Sequence, residues 1–182
     1  MSGSIARRYA KAIIAVAEEQ TALEQTGDEL RVLGALAADP EIAQALANPL
    51  LTTTSRRRLA RTIAEQLTLR PMLRNFLCLL ADHRRLDQLD AIADQYQKLL
   101  DQRLGRVRAT VTSATPLSAA QGDAVVAAIA HQTERTVLAT QRVDARLLGG
   151  VVVDVGGTVY DGSLRTQLEA LAARIAGGRS LA

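Results

Sequence analysis

Apolar residues recur along positions 1–104 at the three- and four-residue intervals of amphipathic helices. Over 4–19, Ile5, Tyr9, Ile13 and Ala17 fall one turn apart, and Ala6, Ala10 and Val16 widen that stripe, as for a helix buried over much of its circumference. Leu23, Leu30, Leu33 and Ala37 outline a second helix over 21–38. Asp39-Pro40-Glu41 reads as a helix start, since Asp39 can accept backbone N–H groups and Pro40 suits the first turn. Asn48-Pro49 stops this third helix early, because the residue before a proline is pushed out of the α region. Ser55 is placed to cap a fourth helix with Leu59, Ile63 and Leu67 on one face, and Pro71 opens a fifth carrying Met72, Leu73, Phe76, Leu77 and Leu80. The sixth, over 86–104, sets Leu86, Leu89, Ile92, Ala93, Tyr96, Leu99 and Leu100 at helical intervals, and Gly105 ends it. Six helices with short connections make an antiparallel bundle.

After Gly105 the period changes to two. Positions 106–112 alternate, with Val107, Ala109 and Val111 against Arg106, Arg108, Thr110 and Thr112, the pattern of a half-buried strand. Ser118-Ala119-Ala120-Gln121 fits a capping box, and the helix it opens presents Val125, Val126 and Ile129. Further strands are expected over 136–143 and 151–155, with Gly156-Gly157 as a two-residue hairpin turn into Thr158-Val159-Tyr160. Asp161-Gly162-Ser163 then leads into a last helix with Leu164, Leu168, Leu171 and Ile175 facing inward, ended by Gly177-Gly178. The fold class is therefore α+β: an N-terminal six-helix bundle over 1–104, followed by a small C-terminal α/β module over 105–182.

Composition narrows what such a chain can do. Of 182 residues, 48% are hydrophobic, enough for real cores, but only Tyr9, Phe76, Tyr96 and Tyr160 are aromatic, which argues against stacking platforms for single-stranded nucleic acid. A single cysteine, Cys78, excludes an intramolecular disulfide and any cysteine-based metal cluster. Met1 is followed by Ser-Gly-Ser-Ile-Ala-Arg-Arg without a long apolar run, so a secretory signal is not expected, and no stretch approaches the roughly 18 apolar residues of a membrane span. These limits suggest a soluble protein of a reducing compartment. The net charge of +3 hides an uneven distribution: residues 1–49 carry four basic and seven acidic side chains, 50–108 twelve and six, and 109–182 six of each. Arg56-Arg57-Arg58 with Arg61 invites a nucleic-acid reading, with Arg84-Arg85 beside it, but an excess of six positive charges over this segment is modest for binding phosphates. A solvated helix face is the plainer account.

Catalytic chemistry finds little support. Gly149-Gly150 precedes a strand and Gly156-Gly157 joins two, so neither forms the strand-to-helix loop of a phosphate-binding motif. Asp144 and Asp161 suit turns and caps, and Asp154, among valines, is expected on the exposed face of its strand. His83 and His131 each lie near a predicted helix C-terminus with no second histidine at ligand spacing, and Cys78 sits among Phe76, Leu77, Leu79 and Leu80 as a small buried thiol would. No nucleophile–base arrangement, metal set or cofactor motif emerges.

Longer motifs go further. Ala6-Arg7-Arg8-Tyr9-Ala10-Lys11-Ala12-Ile13 resembles the first helix of the delta subunit of F-type ATP synthases, the family of the mitochondrial oligomycin-sensitivity-conferring protein. The stretch from Asn75-Phe76-Leu77 to Arg84-Arg85-Leu86 resembles that family's second signature. Val111-Thr112-Ser113-Ala114 followed by Pro116-Leu117-Ser118 looks like its domain-junction strand and turn. Val143-Asp144, Leu148-Gly149-Gly150-Val151 and Asp161-Gly162-Ser163-Leu164-Arg165-Thr166-Gln167-Leu168 look like its C-terminal signature. The departures are Gly156-Gly157, where many members have a Gly and a polar residue, and Tyr160, where an apolar residue is common.

This resemblance implies a non-catalytic stator subunit, without a cofactor, that joins the catalytic head to the peripheral stalk so the head resists rotor torque during proton-driven ATP synthesis. It implies that the bundle receives N-terminal helices of the alpha subunits, alone or together with beta-subunit contacts, and that the C-terminal module binds the far end of the b-type stalk subunit. In this sequence Ala6, Tyr9, Ile13, Phe76 and Leu79 would line or support the alpha-helix groove, the alternative for Tyr9 and Phe76 being simple core packing. Gly149, Gly150, Asp161, Gly162 and Ser163 would act as turn and cap determinants shaping the stalk-binding surface. No nucleic acid is expected among the partners. The expected location is the cytoplasmic face of a bacterial plasma membrane, peripheral to it through the complex, although a mature organellar chain would look the same.

Overall fold

In the computed structural model, which describes residues 2–48 and 50–177, the chain divides into two compact units, Met1–Leu100 and Asp101–Ala182. The expected helix-stopping Pro49 and Gly178, and the side chain of Ile175, lie outside the described residues.

The first unit is built from α1 (Ser2–Glu19), α2 (Leu23–Ala38), α3 (Pro40–Ala47), α4 (Thr53–Gln66), α5 (Pro71–Asp82) and α6 (Leu89–Arg103). Its core is mostly aliphatic, with Tyr96 and Phe76 as its aromatic members. Ala6, Ala10 and Ala17 of α1, Leu30 and Leu33 of α2, Leu73, Leu77 and Leu80 of α5, and Ile92 of α6 are all buried. Asp39 caps α3, its Oδ1 accepting the N–H groups of Glu41 at 2.9 Å and Ile42 at 3.4 Å. Ser55 does not cap α4. The cap is Thr52, whose Oγ1 accepts the Ser55 N–H at 3.1 Å. Thr53 and Thr54 enter the first turn, where N–H groups have no intrahelical partner to lose. The sixth helix also differs from a single span, beginning as a 3₁₀ turn, Leu86–Gln88, before α6 proper.

Two polar anchors hold helices in register inside this unit. The buried Tyr96 hydroxyl donates to the Leu23 carbonyl at 2.9 Å, tying α6 to the start of α2. Arg70, just before α5, donates from Nε to Glu29 at 2.6 Å and from Nη2 to the Thr26 hydroxyl at 2.9 Å, both on α2.

The second unit is a four-stranded sheet with one helix packed on it. Its strands are β1 (Arg106–Ser113), β2 (Thr136–Val143), β3 (Gly150–Val155) and β4 (Thr158–Ser163), ordered β2-β1-β3-β4. The β1–β2 pair is parallel and is crossed over by α7 (Ala119–Thr133), while β1–β3 and β3–β4 are antiparallel. The expected capping box opens α7: Gln121 N–H donates to Ser118 Oγ, and Ser118 N–H donates to Gln121 Oε1. Ala109, Val111, Val153 and Val155 form a core with Ile129 of α7. On the opposite sheet face Thr110, Leu138, Asp154 and Val159 are exposed. Gly156 and Gly157 both have positive φ, +59° and +95°, as a type I′ hairpin turn demands, and Asp154 Oδ1 accepts the Gly157 N–H at 2.8 Å.

The last helix, α8 (Leu164–Gly177), follows Asp161-Gly162-Ser163 as expected, although pairing with β3 draws those three residues into β4, opposite Val152, Val151 and Gly150. The inward face expected of α8 is not found. Leu164, Leu168 and Leu171 do not face inward; they are 45%, 59% and 53% exposed. The core face of the sheet is taken by α7, and the apolar stripe of α8 is left open to solvent.

Candidate partner-binding groove

Helix α1 carries two apolar stripes. One, formed by Ala6, Ala10, Ile14 and Ala17, is buried in the bundle. The other, Tyr9, Ala12, Ile13 and Val16, turns toward α5, which answers with Met72, Asn75, Phe76 and Leu79. The spacing on α5 is i, i+3, i+4, i+7, one helix face, displaced from the stripe of Leu73, Leu77 and Leu80 that fills the core. Between the two helices runs a groove of about 860 Å³, open to solvent and lined largely by apolar atoms. Its floor is an aromatic pair: the Tyr9 and Phe76 rings meet edge to face with centroids 6.3 Å apart. Arg8 lies over the Tyr9 ring at 5.8 Å.

The structure therefore brings Tyr9, Ile13, Phe76 and Leu79 to one concave surface. Ala6 is not on the groove wall; fully buried beneath it, this alanine lets α1 approach the bundle closely. Phe76 is only 7% exposed and shared between core and groove, whereas Leu79 is 45% exposed, an apolar side chain left in water. Ala12, Val16, Met72, Asn75 and His83 also line the groove and were not singled out from sequence, although each lies three or four residues from one that was. The C-terminal end of α5 is fastened to α4 by Arg57, which grips Asp82 with two nitrogens, Nη2 to Oδ2 at 2.6 Å. That hydrogen bonding holds the Asp82 carboxyl below its ordinary value and raises the Arg57 guanidinium.

A second apolar depression, about 430 Å³, opens between α3 and α4. It exists because α4 buries Ala60, Ala64 and Arg56, leaving Leu59, Ile63 and Leu67 half-buried along its wall. The arginine run is correspondingly divided in its tasks. Arg56 is buried and donates to the Asn48 carbonyl at 2.8 Å, and Arg57 holds Asp82, so Arg58 and Arg61 are what remains of the exposed basic stripe. Cys78 is half-buried on α5.

In the second unit, the five predicted turn and cap residues meet at one corner. Gly150 has φ +81°, and a Cβ there would sit 2.4 Å from the Gly162 carbonyl oxygen, so only glycine fits. Leu164 N–H donates to the Gly149 carbonyl at 2.9 Å. Asp161 accepts the Ser163 N–H and the Thr166 hydroxyl, each at 2.8 Å, and the backbone hydrogen bond, as the larger cause, holds its carboxyl below the ordinary value. Ser163 Oγ accepts the Thr166 N–H at 3.3 Å, starting α8. This corner fixes how α8 leaves the sheet.

The groove is concave and largely apolar, with Arg8, Gln20, Asn75 and His83 as the polar part of its lining. Residues 5–175 match the family model described as ATP synthase delta (OSCP) subunit. The chain belongs to this family. Relatives called ATP synthase subunit delta are 46% identical over 94% of this chain and 96% of theirs in Anaeromyxobacter sp. (strain K), and 40% identical over 91% and 93% in Myxococcus xanthus. A chain in the cryo-EM structure of the Toxoplasma gondii mitochondrial ATP synthase hexamer shares the fold at TM-score 0.66 and 22% identity, covering 93% of this chain and 96% of its own. As a delta-type chain it is a non-catalytic, structural subunit of an F-type ATP synthase, in the stator. Among the described residues no helix is long and apolar enough to cross a membrane.

Proposed function

We propose that the groove between α1 and α5 receives the N-terminal helix of an alpha subunit of the catalytic head, and that the second unit holds the far end of the b-type stalk subunit. The chain thus resists rotor torque at the cytoplasmic face of a bacterial membrane, attached only through the complex, with neither cofactor nor nucleic acid involved. The observation that carries this reading is the exposed Leu79 above the Tyr9–Phe76 floor, on a surface shaped for the apolar face of one helix. Support for the second contact comes from the unburied Val143, Leu148, Val159, Leu164, Leu168 and Leu171 of the second unit, a density of open apolar side chains that invites a covering partner. A standard interface of about 1,200–2,000 Å² at each unit suffices for durable attachment without chemistry.

The test is Leu79→Asp, which buries a charge against the partner but alters an exposed residue of the free chain. Titration of an alpha N-terminal peptide into the full chain should show binding weakened at least tenfold with the circular dichroism spectrum unchanged. Equal affinity for both proteins would remove the groove from the interface.

A further inference from the structure

The sheet of the second unit ends on β2, and among the described residues no strand lies beyond it. Thr136 N–H donates to the Gly105 carbonyl at 3.1 Å and Asp144 N–H to the Ser113 carbonyl at 2.9 Å, so the even-numbered residues of β2 turn their backbone groups toward β1. By the alternation of a strand, Val137, Ala139, Gln141 and Val143 each turn an N–H and a C=O outward. Natural edges are guarded by lysines, prolines, bulges or a covering element. β2 uses none of these. Its only charge is Arg142, its register on β1 runs unbroken from Thr136 to Val143, and every residue but Val137 is exposed. The opposite edge, β4, is shorter, contains Asp161 and Gly162, and runs straight into α8.

We infer that β2 is a self-association edge, through which two copies of this chain pair antiparallel across a two-fold axis at Thr140. In that register Val137 lies opposite Val143 and Ala139 opposite Gln141 of the second copy, so every outward N–H meets an outward C=O. Arg142 lies opposite Leu138, which sets the two Arg142 side chains roughly 14 Å apart along the strands, beyond the screening length at physiological salt. Charge is complementary at both ends. Glu134 and Arg135, just before β2 in one copy, come beside Asp144 and Arg146, just after it in the other. The axis also closes the assembly at two copies, because each edge is used up. An edge pairing alone buries less than the roughly 1,200 Å² of a stable interface, so the dimer is reversible and forms at high protein concentration.

Sedimentation equilibrium of the full chain from about 10 μM to about 1 mM tests this, a range that brackets a weak interface. The mean mass of the wild type should climb toward that of two chains. Thr140→Lys sets like charges opposite each other at the axis and should weaken association about fivefold. Thr140→Glu should do the same, and an equimolar mixture of the two variants should restore association, because only the mixed pair is attractive. Thr140 is exposed on the face away from α7, so neither substitution disturbs the core, and rescue in the mixture shows that both variants fold. A wild type that stays monomeric throughout, variants that associate unchanged, or a mixture without rescue would each overturn the inference. Leu79→Asp and Leu168→Asp report on the other apolar surfaces. Loss of self-association in either, with Thr140→Lys unaffected, would place the contact on the groove or on α8 and remove it from β2.

Discussion

Replacing Tyr96 with Phe tests the polar anchor between α2 and α6 with a sign that depends on pH. The ring is fully buried, its hydroxyl donates to the Leu23 carbonyl at 2.9 Å, and burial pushes the phenol from 10 up to about 12. At neutral pH the variant should be less stable by about 1 kcal/mol, the net value of one buried hydrogen bond. Because the folded-state value is raised above the unfolded one, the wild-type phenol's contribution is full below pH 10 and is lost as pH rises through 12. That rise corresponds to roughly 2–3 kcal/mol in total, most of it gone at pH 12. The wild type should therefore lead the variant below pH 10, match it near pH 11 and trail it by about 1 kcal/mol at pH 12. Urea melts followed by circular dichroism at 222 nm, run in parallel from pH 8 to 12, measure this gap directly. Tyr9 and Tyr160 are present in both proteins and cancel from the comparison. A gap that stays constant over the whole range would refute the buried-phenol account.

Other sites give equally specific expectations. Gly150→Ala forces a Cβ to within 2.4 Å of the Gly162 carbonyl at positive φ and should destabilise the second unit by about 2 kcal/mol or more, seen as a selective loss of amide-exchange protection in β3 and β4. Asp39→Ala removes the cap of α3 and should cost about 1 kcal/mol in the same urea melts. Asp144, hydrogen-bonded first by the Arg146 guanidinium and then by its backbone N–H, is lowered to about 2; its carboxylate should stay ionised until pH falls through that value. In Arg146→Ala the midpoint should rise toward the ordinary carboxylate range in carboxyl-carbon NMR titrations, and an unchanged midpoint would contradict the assigned cause.

The local grammar of this chain is written plainly in its sequence. Asp39-Pro40, Pro71, Ser118 with Gln121, and Gly156-Gly157 each specify a start or a turn through contacts within a few residues, and the structure uses each in that way. Pattern alone misleads where neighbouring hydroxyls compete for one role or where a choice depends on distant partners. Ser55 looks like a cap, but α4 starts at Thr53 and Thr52 caps it. Asp161-Gly162-Ser163 has turn composition, yet pairing with β3 draws it into a strand. The periodicity of α8 marks an apolar face correctly but cannot say that α7 already occupies the sheet. The same limit applies to the groove. Spacing placed Phe76 and Leu79 a turn apart, but only the packing of α1 beside α5 reveals that one forms the floor and the other stands in solvent.

The central claim is that two separate surfaces hold two separate partners. Binding of the purified alpha–beta head and of the purified b-type stalk subunit to the full chain, measured side by side for wild type, Leu79→Asp and Leu168→Asp, tests it most directly. The expected result is a double dissociation: Leu79→Asp loses the head and keeps the stalk, while Leu168→Asp loses the stalk and keeps the head. If either substitution weakens both partners alike, or if neither weakens its own, the division of labour between the two units is wrong.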